Sequence, residues 1–102
     1  MLMDSKSAFL PTVVITEFLS NPRLDKKTYQ FFQDMPQLEI RDGYWWRAGE
    51  TRRLLLKKGL KAKLGDVLIA QACIDNNATL LTRDEDFKHY EKHCGLKLVQ
   101  KQ

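Results

Sequence analysis

An α/β domain is what this sequence predicts, because short apolar runs alternate with longer amphipathic stretches and turn residues fall between them. The run Thr79–Thr82 is followed by a helical stretch and then by a second run at Leu96–Gln100, the order that builds a parallel pair. The chain has 102 residues, 43% of them hydrophobic, which is enough for one core and too little for two, so residues 1–102 are expected to form a single domain.

The elements follow in order. Ala8–Leu10 reads as a short strand, and Pro11 and Thr12 start a helix that runs to about Ser20, with Thr12 as its cap and Asn21-Pro22 as its stop. Leu24, Thr28, Phe31 and Phe32 recur at helical spacing and predict a second helix over Leu24–Asp34. Gln37–Ile40 reads as an edge strand. Asp42-Gly43 then turns the chain into a long basic helix from Tyr44 to Lys58, closed by Gly59. Asp66–Asn76 is the next helix, Thr79–Thr82 a buried strand, Asp84–His93 a helix, and Leu96–Gln100 a last strand after Gly95.

Charge is concentrated. Residues 41–63 carry eight cations against Asp42 and Glu50, a surplus of six in a chain whose net charge is +4, so the remainder sums to −2. A basic segment beside an acidic remainder suits a surface for a polyanion and a separate site for a cation; a solvated amphipathic helix is the plainer alternative. Cys73 and Cys94 have no paired spacing, and Cys73 falls on an apolar helical face, which fits a reducing cytoplasm. No apolar run is long enough to cross a bilayer, and MLMDSKS lacks the features of a secretory signal, so no membrane partner is expected.

Glu17, Asp66 and Asp84 stand out because each sits among apolar residues, where a carboxylate needs a compensating cation. Asp66 begins the stripe Asp66, Ile69, Ala70, Cys73; helix capping accounts for it equally well. Glu17 shares a face with Val13 and Val14, and a half-buried salt bridge is its alternative. Asp84 follows a buried strand at its carboxyl end, where open α/β sheets place ligand sites, and Thr82 points a hydroxyl toward the same edge. Glu85 and Asp86 extend this into an acidic first helical turn. Three acids at one end of a parallel sheet repel unless they share a cation or a proton. A divalent metal bound there would act on phosphate.

The strings LPTVVITEFL, GDVLIAQACIDNNATLLTRDEDF and GLKLV resemble PIN domains, and in particular the small VapC-type ribonuclease toxins. That resemblance implies a three-layer α/β/α fold and a Mg2+/Mn2+-dependent endoribonuclease. Glu17, Asp66 and Asp84 match the family's metal-binding acids, Thr82 the hydroxyl residue beside them, and Asp86 a secondary acid. It also implies a cognate antitoxin and a homodimer.

One departure is plain: the family begins with a central strand that ends in a further aspartate, followed by two helices. Asp4 is too close to Ala8 to be that aspartate, since a parallel crossover needs about a dozen residues. The expected fold therefore lacks the usual first strand, through closure of the sheet, a strand from another chain, or a shortened start.

Carboxylate ligands suit Mg2+ or Mn2+, and no Cys/His set suits zinc; His89 and His93 share a helical face without a third ligand. Arg47, Arg52, Arg53, Lys57 and Lys58 are the candidate RNA contacts, with Tyr44, Trp45 and Trp46 as stacking surfaces, although at least one tryptophan is expected in the core. The alternative function is a catalytically impaired module that binds RNA, an antitoxin or another copy without cutting. A third reading, an unrelated phosphotransfer domain, is opposed by the absence of a glycine-rich phosphate loop.

Overall fold

Helix α4 (Leu64–Asp75) is buried nearly all round between Val67 and Cys73, and the rest of the chain is arranged about it. The computed structural model describes residues 2–3 and 12–100, together with the side chains of most of them. Within it, β1 (Leu2–Met3) precedes α1 (Thr12–Leu19), α2 (Lys26–Gln33) and α3 (Tyr44–Lys57). After α4 come β2 (Thr79–Thr82), a single 3-10 turn at Glu85–Phe87, α5 (Lys88–Cys94) and β3 (Lys97–Gln100). The predicted strand at Ala8–Leu10 and the residue Asp4 lie outside the described residues.

The sheet has the order β1-β2-β3. β2 and β3 are parallel, with Thr79 opposite Lys97 and Thr82 opposite Gln100. On the other edge of β2, Leu2 and Met3 pair antiparallel with Leu81 and Leu80. The α/β class with a short parallel pair is thus as the sequence predicts, while β2's second neighbour is an antiparallel dipeptide from the N-terminal end.

Local chemistry explains the boundaries. Asp25 caps α2 by accepting from Thr28 N–H at 2.6 Å, so this helix starts two residues after the predicted Leu24. Gly43 opens α3 at φ +82, a left-handed angle that favours glycine, and a Cβ there would fall 2.6 Å from Arg47 Nη1 and push that side chain aside. Past the other end of α3, Gly59 at φ +75 lets Leu60 N–H reach back to the Leu55 carbonyl at 3.0 Å.

Two predicted elements change. Among the described residues Gln37–Ile40 forms only an isolated bridge at Gln37, and Asn76 Nδ2 donates to the Glu39 carbonyl at 2.9 Å, tying this segment to the end of α4. The single helix over Asp84–His93 is instead a 3-10 turn followed by α5, the tighter turn delivering fully buried Phe87 to the core.

The core joins Leu38, Tyr44, Leu55, Val67, Ile69, Cys73, Leu80, Phe87, Tyr90 and Leu96. α4 packs against α3, α1 and β2, which is why residues 69–73 are buried consecutively and not as a single stripe. A polar chain ties α3 to α4: Thr51 donates to Gln71, Gln71 Nε2 donates to Asp75 Oδ1 at 2.8 Å, and Arg47 holds Asp75 through Nε at 3.0 Å and Nη2 at 2.6 Å. Among the described residues no helix is long and apolar enough to cross a membrane.

Candidate metal centre

Asp66 stands in the first turn of α4, half-buried, with Val67 beside it anchoring the turn in the core. Asp84 and Asp86 arrive from the carboxyl end of β2. Thr82 is 5% exposed, and its Oγ1 accepts from Asp84 N–H at 3.0 Å; Asp84 Oδ1 in turn accepts from Asp86 N–H at 2.9 Å. These two bonds, with Phe87 buried just beyond, fix both acids relative to the strand end. The result brings one carboxylate oxygen each from Asp66, Asp84 and Asp86 within 4.8 Å of one another.

That spacing fits a hard divalent cation. Ligand oxygens on opposite sides of a Mg2+ or Mn2+ are about 4.2 Å apart, and a donor slightly farther away acts through a bound water. Among the described residues this is the one group of acids, histidines or cysteines with metal-holding geometry, and neither His89 nor His93 belongs to it. Glu17 lies on α1, which packs against α4, but its side chain is outside what the structure describes.

Sequence reasoning missed two further groups at this site. Lys61, in the link between α3 and α4, places Nζ 3.3 Å from Asp86 Oδ2. The hydrogen bond and charge of Asp86, with the charge of Asp84, raise its pKa, so the ammonium stays protonated. Tyr90 on α5 is 1% exposed, and among the described residues its hydroxyl has no hydrogen-bond partner. Burial raises the phenol's pKa, and the charges of Asp66 and Asp86 add to the effect against an opposing one from Arg52. Tyr90, four residues after Asp86, carried a spacing signal; Lys61, whose partner Asp86 is distant in sequence, carried none.

The proposed phosphate-binding cations divide. The Arg47 guanidinium is spent on Asp75 and on the Asp42 carbonyl, the latter at 2.7 Å, and Arg52 Nε donates to the Ala62 carbonyl at 2.9 Å. Both are fastened into the fold. Arg53, Lys57 and Lys58 are exposed, and Arg53 and Lys57 line an open groove of about 420 Å³ with Glu50, Thr51, Leu54 and Cys94. Tyr44 is buried and donates to the Leu68 carbonyl at 2.6 Å. The expectation that a tryptophan enters the core fails: Trp45 is 61% and Trp46 79% exposed, since Tyr44, Ala48 and Leu55 already fill the inward face of α3.

Comparison with known proteins agrees with this architecture. VapBC-5 from Mycobacterium tuberculosis, a member of the VapBC family of toxin–antitoxin systems, matches with a TM-score of 0.76 at 19% identity, over 91% of this chain and 81% of its own. VapBC2 from Rickettsia felis, solved bound to a DNA fragment from their promoter, matches with a TM-score of 0.68 at 26% identity, over 89% of this chain and 72% of its own. No curated protein matches the chain. The PIN domain sequence model aligns with residues 2–93, and the chain therefore belongs to the PIN domain family.

Proposed function

We propose that this protein is a Mg2+- or Mn2+-dependent endoribonuclease of the toxin type, restrained by a cognate antitoxin. The observation that carries the reading is the convergence of Asp66, Asp84 and Asp86 within 4.8 Å. Membership of the PIN family and likeness to structures from VapBC systems support it. In this reading Asp66, Asp84 and Asp86, with Glu17, hold the ion directly or through waters. A bound divalent ion supplies a water of lowered pKa and neutralises charge on the phosphodiester.

The chain's own residues do the rest. Thr82 holds Asp84 through its backbone, and Asp84 holds Asp86, so the acids keep their places while charge changes at the reacting phosphate. Arg53, Lys57 and Lys58 supply exposed positive charge for the strand, and Trp45 and Trp46 offer faces for unpaired bases. The protein acts in the cytoplasm as a homodimer in this reading.

The test is cleavage of single-stranded RNA in Mn2+, in EDTA, and by Asp66→Asn. Cutting that needs Mn2+ and is lost in the variant supports the proposal. RNA bound without turnover at any Mn2+ concentration would overturn it in favour of a non-cleaving PIN module.

A further inference from the structure

The acidic cluster is not bare in this structure, because Lys61 reaches into it. Its Nζ is 3.3 Å from Asp86 Oδ2, the lysine side chain is 56% exposed and the aspartate 33%. Asp86 is also a corner of the trio whose oxygens lie within 4.8 Å of one another. Crowded carboxylates repel, and a cation at one corner relieves part of that repulsion.

An exposed ion pair of this kind is held weakly. A divalent ion carries twice the charge and touches several oxygens at once, so it outcompetes one ammonium for Asp86. Lysine carries its charge on a flexible four-carbon stem with freely turning donors, so an ammonium released from Asp86 stays within reach of the site. A strand whose phosphate approaches the trio meets that charge.

We propose that Lys61 is a resident counter-cation of the acidic pocket: it occupies Asp86 in the metal-free protein, yields that carboxylate on metal loading, and then binds a non-bridging phosphate oxygen of the nucleic acid. This rests on the metal-dependent reading above and adds a substrate-binding residue to it. It also separates Lys61 from Arg47, whose guanidinium is held by Asp75 and the Asp42 carbonyl, and from Arg52, whose Nε is held by the Ala62 carbonyl.

The opposite role is a clamp that merely presents Asp86, and the two roles differ in sign. If Lys61 is a clamp, removing it weakens metal binding; if it is a competitor, removing it strengthens metal binding. The experiment titrates the intact protein with Mn2+ by calorimetry for wild type, Lys61→Gln, Lys61→Arg and Asp66→Asn. It then measures the binding of a fluorescent single-stranded DNA octamer, which a ribonuclease leaves uncut, to the Mn2+-loaded proteins. Circular dichroism of each variant confirms its fold.

The expected result is Mn2+ binding about five- to tenfold tighter in Lys61→Gln, from the loss of one repelling unit charge near the ion. Octamer affinity in that variant falls about threefold, with a salt dependence shallower by about one phosphate contact. Lys61→Arg stays near wild type in both titrations. Unchanged or weaker Mn2+ binding in Lys61→Gln, or undiminished octamer affinity, overturns the proposal while leaving the metal site standing. Equal Mn2+ titrations of wild type and Asp66→Asn would remove the metal site itself, and this inference with it.

Discussion

Arg47 Nη2 and Asp75 Oδ2 meet at 2.6 Å, and the pair fastens α3 to the end of α4. Burial alone would raise the Asp75 pKa, yet hydrogen bonds from Arg47 and Gln71 and the charges of Arg47 and Arg41 outweigh it and hold the carboxyl below its ordinary value. An arginine with the sequence position of a phosphate ligand is thereby a structural clasp.

Asp75→Ala should lower stability by about 1–2 kcal/mol, the modest end of the range because the guanidinium side is open to water. The folded pKa is the depressed one, so this contribution is present above the unfolded value near 3.8 and fades as pH falls through the lower folded value. Urea melts at pH 7 and below pH 3.8 check it: the gap between wild type and variant should narrow in acid.

Alkali should unfold the protein through its tyrosines. Burial, then the Asp75 and Cys73 charges, push Tyr44 from 10.0 to about 12. A raised folded pKa means stability is intact below 10 and lost as pH climbs toward 12. Thermal melts across that window should decline, and less steeply in Tyr44→Phe, which at neutral pH is itself less stable by about 1 kcal/mol because the Leu68 carbonyl loses its donor.

Phe87→Ala should cost about 3–4 kcal/mol, since the ring is fully buried and its removal leaves a cavity in the core. Mn2+ affinity should fall as well, because the turn that carries Asp86 loses its anchor. A calorimetric titration below the variant's melting temperature measures the second effect separately from the first.

Tyr90→Phe should be neutral or stabilising by up to about 1 kcal/mol, because the hydroxyl it removes is buried without a partner among the described residues. Denaturant melts without metal test this. Destabilisation beyond that range would show that the hydroxyl is bonded in solution.

Much of this was legible in the sequence. The strand TLLT and the helix around Ile69, Ala70 and Cys73 emerge at nearly their predicted bounds because apolar pattern and packing agree there. Asp66 and Asp84 do converge, and Asp86, ranked below them, stands with them on the turn that the Asp84 cap fixes. The false strand at Gln37–Ile40 and the engaged arginines were illegible for one shared reason. Each is decided by a side chain distant in sequence, Asn76 for the first and Asp75 or the Ala62 carbonyl for the second. The Trp45-Trp46 pair misled because aromatic bulk suggested a core that Tyr44 and Leu55 had already filled.

Those two indoles have an optical consequence. Both face water, so the folded protein should emit at long wavelength and be readily quenched by iodide or acrylamide. Denaturant would then shift the spectrum little, making emission colour a poor gauge of unfolding. It becomes instead a sensitive one for anything that settles on the outer side of α3, where a blue shift at constant circular dichroism would announce an arriving partner.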